Sequence, residues 1–121
     1  MARILVIDDS SFMRRYLRDA LEGLGLDVDE LVPVSPLEIT ERIRERRPDL
    51  VVTDYHMPHV DGLQVARMVR RADAGIPVVV LTSVHDPALE AVLATTGVRR
   101  VLHKPMTGEA VAKAVKDLLG A

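Results

Sequence analysis

Two hydrophobic patterns alternate along the chain. Ile4-Leu5-Val6-Ile7, Leu50-Val51-Val52-Thr53 and Val78-Val79-Val80-Leu81 are short runs rich in β-branched residues and free of polar alternation. A strand covered on both faces, as in a parallel sheet, reads this way. Between these runs, apolar positions recur at spacings of three and four, the mark of an amphipathic helix. The first such stretch carries Met13, Tyr16, Leu17, Ala20, Leu21 and Leu24, with Gly23 and Gly25 flanking its end. The second opens as a capping box, with Ser35 as N-cap, Pro36 at the first helical position and Glu38 three residues on, and runs to about Arg46 ahead of Pro48. The third follows Asp61-Gly62, with Leu63, Val65, Ala66 and Val69 on its apolar side. The fourth takes Asp86 as N-cap and Pro87 as its first residue, with Gly97 ending it. The fifth starts near Thr107 and carries Val111, Ala114, Val115 and Leu118. Weaker strand patterns fall at about Asp29 to Val34 and Arg100 to His103.

Strand and helix thus alternate five times, without repeats, low complexity or a linker. This predicts an α/β fold with a doubly wound five-stranded parallel sheet and right-handed crossovers. In such sheets the working site lies at the carboxyl ends of the strands. Asp8 and Asp9 stand there after the first strand, Asp54 after the third, Thr82 and Ser83 after the fourth and Lys104 after the fifth. Three carboxylates on one edge repel: two unit charges ~4 Å apart cost about 4 kcal/mol at an effective dielectric of about 20. Such a cluster requires a cation or a raised pKa. Oxygen ligands without His or Cys point to a hard divalent ion, Mg²⁺ or Mn²⁺. A metal, a lysine and a hydroxyl donor around one carboxylate are what phosphoryl transfer onto that carboxylate needs. Asp54, on the central strand between the acid pair and Lys104, is the best nucleophile.

Composition narrows the class. The 121 residues are 48% hydrophobic and 28% charged, enough for one core, and predict one domain spanning 1–121. Sixteen Lys and Arg against eighteen Asp and Glu give a net charge of −2, which argues against a nucleic-acid partner. Cysteine is absent, which excludes a thiolate metal site and a cysteine nucleophile. Apolar runs such as Val78 to Leu81 are far too short to span a bilayer, and Met1-Ala2-Arg3-Ile4 leads straight into a strand with no signal-peptide pattern. A cytoplasmic protein with no membrane association is expected.

Val6-Ile7-Asp8-Asp9-Ser10, Val52-Thr53-Asp54-Tyr55-His56-Met57-Pro58-His59-Val60-Asp61-Gly62, Leu81-Thr82-Ser83 and Lys104-Pro105 together resemble a two-component response-regulator receiver domain, over Arg3 to about Leu119. Asp9-Ser10-Ser11-Phe12-Met13-Arg14-Arg15 is similar to single-domain receivers of the chemotaxis type. The resemblance implies a flavodoxin-like fold, five helices on a sheet of strand order 2-1-3-4-5, and a Mg²⁺-dependent phosphorylation switch, with catalysis limited to its own phosphorylation and dephosphorylation. Asp54 would accept the phosphoryl group from a histidine kinase or phosphotransfer protein. Asp9, Asp54 and the backbone carbonyl of His56 would ligate Mg²⁺, with Asp8 helping through water. Thr82 would hydrogen-bond the phosphate, Lys104 would pair with it, and Ser83 fits the small residue beside its path. A cis peptide bond before Pro105 would aim Lys104 inward.

Two positions depart from the family pattern. Val101 stands where a Phe or Tyr usually couples to the threonine as a rotameric switch, so altered coupling is expected at the face made by the fourth helix, fifth strand and fifth helix. The positions bearing on water access in the family are His56 and Val84, of which only His56 can orient a water. An enzyme of the haloacid-dehalogenase kind would set its two acids two apart, whereas Asp8 and Asp9 are adjacent. A binding module that is never phosphorylated would lose an acid or the lysine, and none is lost. The four histidines, His56, His59, His85 and His103, lack helical ligand spacing. Leu89, Val92 and Leu93 could form a docking stripe on the fourth helix but are expected to face the core for the most part; Arg14 and Arg15 could be either a docking feature or a solvated helix face. The fifth helix leaves no length for an output domain, so a monomer acting on an unknown downstream protein by contact is expected.

Overall fold

The computed structural model describes residues 1–120. Its elements run β1 (Arg3–Ile7), α1 (Ser11–Glu22), β2 (Asp27–Leu31), α2 (Pro36–Arg46), β3 (Leu50–Asp54), α3 (Gly62–Ala72), β4 (Val78–Thr82), α4 (Pro87–Ala94), β5 (Val98–His103) and α5 (Gly108–Leu118). The five strands form one sheet in the order β2-β1-β3-β4-β5, every pair parallel. β3 and β4 are buried along their whole length and β1 is buried from Ile4 onward, as their unbroken apolar runs demand. One face carries Leu5, Ile7, Val51 and Val80 against Ile39 and Ile43 of α2, Val65 and Val69 of α3 and Leu93 of α4. The other carries Ile4, Val6, Val52 and Leu81 against Leu17 and Leu21 of α1 and Val111 and Val115 of α5. Each fully buried Leu, Ile or Val contributes about 1.5–3 kcal/mol.

Several expected boundaries move. β2 spans Asp27–Leu31 rather than reaching Val34. The amide of Asp8 donates to the carbonyl of Leu31 at 3.2 Å. In the β1–β2 register the next bond would run from the amide of residue 33 to the Asp8 carbonyl. Residue 33 is proline and has no N–H to give, so the ladder stops.

The capping box expected at Ser35 does not form. Its side chain makes no cap bond, although the helix does open on Pro36. A reciprocal box forms instead at Asp61, which accepts from the Gln64 amide at 2.8 Å while its own amide donates to Gln64 Oε1 at 3.0 Å. α4 stops at Ala94 with Thr95 as C-cap, and Gly97, at φ 91°, turns the chain into β5 two residues before the expected Arg100 start. Of the α4 apolar residues, Leu93 is buried and Val92 is exposed.

Candidate functional site

The carboxyl ends of β1, β3, β4 and β5 converge as expected, and the last residue of β3 is Asp54 itself. Asp8, Asp9 and Asp54 each present a carboxylate oxygen within 4.8 Å of the others. Asp8 is 1% exposed and Asp54 is 6% exposed, whereas Asp9 is open to solvent. Lys104 Nζ donates to Asp54 Oδ1 at 2.7 Å. The backbone of Lys104 is set by its own amide, which donates to the Thr82 carbonyl at 2.8 Å, and the Lys104–Pro105 peptide is cis.

Asp8 is held at almost every polar atom. Its Oδ1 accepts from the Ser10 amide at 2.9 Å, and its carbonyl accepts from an Arg14 guanidinium nitrogen at 2.9 Å. Its Oδ2 is buried and has no hydrogen-bond partner, alone in this among the described side chains. Burial pushes the Asp8 carboxyl from its ordinary 3.8 up to about 6; the charges of Asp54 and Asp9 push the same way, against the Ser10 amide and Lys104. A buried carboxylate oxygen with no donor is an unmet demand for positive charge. The residues therefore fit a hard divalent cation: the donors are all oxygen, they are anionic, and one lacks any other partner.

The remaining expected residues lie on β4, on β5 and in the loops that follow β3 and β4. Thr82 is buried, and its Oγ1 accepts from the Val84 amide at 3.0 Å, so it anchors the loop after β4. Ser83 is exposed beside it. His56 is exposed, with its ring edge-on to Tyr55 at 4.9 Å. Val101 lies opposite Val80 in the sheet and packs on the α2–α3–α4 side of the core. The structure adds contacts that the sequence reading did not find. His85 stacks on His103 with ring centroids 4.0 Å apart, and His103 Nε2 lies 3.0 Å from Glu90 Oε2. Tyr16 Oη accepts from the Gly108 amide at 2.8 Å, tying α1 to the start of α5.

The sequence profile of the response regulator receiver domain matches residues 4–116. The chain belongs to the response regulator receiver family. Phosphorylation of an aspartate by a histidine kinase is the general role of this family, and receivers generally bind Mg²⁺ at an acidic cluster of the kind seen here. The receiver is 32% identical over 119 residues to the chemotaxis protein CheY of Halobacterium salinarum, covering 98% of each chain. It is 37% identical over 108 residues to a protein-glutamate methylesterase/protein-glutamine glutaminase of Anaeromyxobacter dehalogenans, of which it spans 30%. It also matches the peroxide stress-activated histidine kinase mak3 of Schizosaccharomyces pombe at 32% identity, spanning 5% of that protein. Among solved structures, chemotaxis protein CheY4 of Vibrio cholerae superposes with a TM-score of 0.87 at 24% identity, over 97% of this chain and 98% of that one. That likeness bears on the fold. No described helix is long and apolar enough to cross a membrane.

Proposed function

We propose that this receiver is a switch whose phosphoacceptor is Asp54, and that Asp8, Asp9, Asp54 and the backbone carbonyl of His56 hold a Mg²⁺ ion, which Mn²⁺ can replace. The observation that carries the reading is the buried, donor-free Oδ2 of Asp8 within a three-carboxylate cluster whose central member is already paired with Lys104. Asp54 Oδ attacks the phosphorus of a phosphohistidine. The P–N bond breaks, the imidazole leaves and takes up a proton, and an acyl phosphate remains on Asp54. When bound, the metal neutralises charge on the transferring group. Lys104 supplies a fixed positive charge at the acceptor, and Thr82 keeps a hydroxyl proton to donate, since its oxygen is only an acceptor in the loop.

The new group adds about 1.5 to 2 negative charges. Thr82 and Lys104 are drawn to it, and the segment from Ser83 to Asp86 shifts with Thr82. Val101 has no ring to follow that motion. The ring contact at this end is His85 on His103, so the loop signals to β5 and α4 through them. The output is changed affinity for a downstream protein, with no turnover beyond the receiver's own phosphorylation and dephosphorylation.

Intact-mass spectrometry after incubation with acetyl phosphate tests this directly, with and without Mg²⁺ and alongside Asp54→Asn. A Mg²⁺-dependent, base-labile phosphate adduct absent from the variant is expected. An adduct that persists in Asp54→Asn would move the acceptor elsewhere. No adduct and no release of inorganic phosphate would leave a binding module that is never phosphorylated.

A further inference from the structure

Asp8 can serve the cluster only if its carboxylate stays in place beside the other two, and the sheet does not secure this unaided. The β1–β2 ladder reaches Asp8 through its amide, but the donor due next to its carbonyl is residue 33, a proline. A carbonyl at the mouth of the site would then lack its sheet partner. Arg14 fills the gap: a terminal guanidinium nitrogen donates to the Asp8 carbonyl at 2.9 Å. Its Nε donates to Glu30 Oε1 at 3.1 Å, and Glu30 stands on β2, paired with Val6 of β1. The guanidinium thus rejoins the two strands just where proline parts them. Arg14 is 18% exposed at its side chain. Glu30 is also bound by Arg18, one turn further along α1, so the brace is fixed from both sides.

We propose that Arg14, held by Glu30, is a positioning residue for the acidic cluster, standing in for the backbone bond that Pro33 cannot make. It touches none of the reacting atoms. It acts through Asp8, by fixing the peptide that follows β1 so that Oδ1 meets the Ser10 amide and Oδ2 is left for a cation. The inference rests on the cation-site reading above. A planar fork with two separate directions of donation suits the task, since one nitrogen faces Glu30 and another the carbonyl.

The substitution that tests it is a rescue. Mn²⁺ affinity of the full chain, read by electron paramagnetic resonance titration, should fall about tenfold in Arg14→Ala, the usual scale for a group that orients a metal ligand. Pro33→Ala alone should bind Mn²⁺ as the parent does. Combined with Arg14→Ala it should restore binding to within about twofold, because residue 33 now offers an amide to the Asp8 carbonyl. Loss of a nearby positive charge, or of packing on α1, would not be repaired at residue 33. Unchanged affinity in Arg14→Ala, or a double variant no better than the single one, would overturn the proposal. Glu30→Gln, which loosens the brace and spares the arginine, covers the case in which Arg14→Ala does not fold. Hydrogen exchange of the Ser10 amide, measured by NMR without metal, gives a second readout: faster in Arg14→Ala, slowed again in the double variant. If the parent binds no Mn²⁺, the cation-site reading fails while the exchange data still decide whether Arg14 positions Asp8.

Discussion

The two ends of the sheet differ in what their polar groups still lack. At the amino ends of the strands lies a groove of about 510 Å³ lined by Ile43, Arg44, Arg47, Asp49, Asp73 and Ile76. Its acids are already answered: Asp49 Oδ2 accepts from the Arg3 amide at 2.7 Å, and Asp73 Oδ1 from the Gly75 amide at 2.9 Å. Both are open to water. At the carboxyl ends there is an unanswered oxygen, two buried acids and a lysine fixed to one of them. Volume marks where something could lie. Unmet charge marks where a cation would be held.

The largest expected consequence concerns Asp8. Its folded pKa of about 6 lies above the ordinary 3.8, so the folded chain binds that proton more tightly than the unfolded one. Stability from this group is complete below pH 3.8 and is lost as pH rises through about 6. Without divalent cations, Asp8→Asn should therefore be more stable than the parent at neutral pH by about 3 kcal/mol. The advantage should vanish in acid, and Mg²⁺ should narrow it by stabilising the parent alone. Urea melts in EDTA and in Mg²⁺ measure both; a variant no more stable than the parent would mean that Asp8 is not strained. Lys104→Met tests the opposite sign at the same end. It leaves buried Asp54 without its cation, and because Lys104 is about a third exposed the loss should be about 2 kcal/mol, short of that for a fully buried pair. Mg²⁺ should raise the melting temperature of this variant more than that of the parent.

The carboxyl-end cluster was legible in the sequence for a topological reason. Strict alternation of strand and helix fixes the sheet class and puts the working edge at the carboxyl ends of the strands, and the motif resemblance adds the strand order, so Asp8, Asp54, Thr82 and Lys104 could be brought together without a single contact being known. Edge features were not legible in this way. In β2 only Val28 and Leu31 are buried, so the apolar signal drifts toward Val32 and Val34, which are exposed. What ends the strand is a missing donor at Pro33, and that is visible only once the register is known. The same holds for Arg14, which the sequence left between a docking role and a solvated face. The stacking of His85, in the loop after β4, on His103 of β5 is likewise visible only in the folded chain, and Ser35 shows that a capping pattern need not cap.

Gly62 separates the two ends by sterics rather than charge. A Cβ there would stand 2.9 Å from Tyr55 Cδ2 and 3.0 Å from Tyr55 Cα, and the Gly62 amide donates to the Tyr55 carbonyl at 2.8 Å. Backbone must give way, and it is the backbone leading from Asp54 into His56. Gly62→Ala should lower stability by about 1–2 kcal/mol and weaken Mg²⁺ binding with it. Gly75→Ala, near the opposite end, meets only the Asp73 side chain at 3.3 Å, and should leave Mg²⁺ binding untouched.

The smallest effect is the sharpest check on the contrast. Asp49 sits in the amino-end groove and carries the same functional group as Asp8, but its carboxylate is solvated and bonded to the Arg3 amide. In Asp49→Asn the side-chain oxygen remains an acceptor and only an exposed charge is lost, so stability should change by about 0.5 kcal/mol or less. Mg²⁺ affinity and acetyl phosphate labelling should both match the parent. Were Asp49→Asn instead to shift Mg²⁺ affinity or labelling, the two ends of the sheet would be coupled, and unmet charge at the carboxyl end would no longer account for the site.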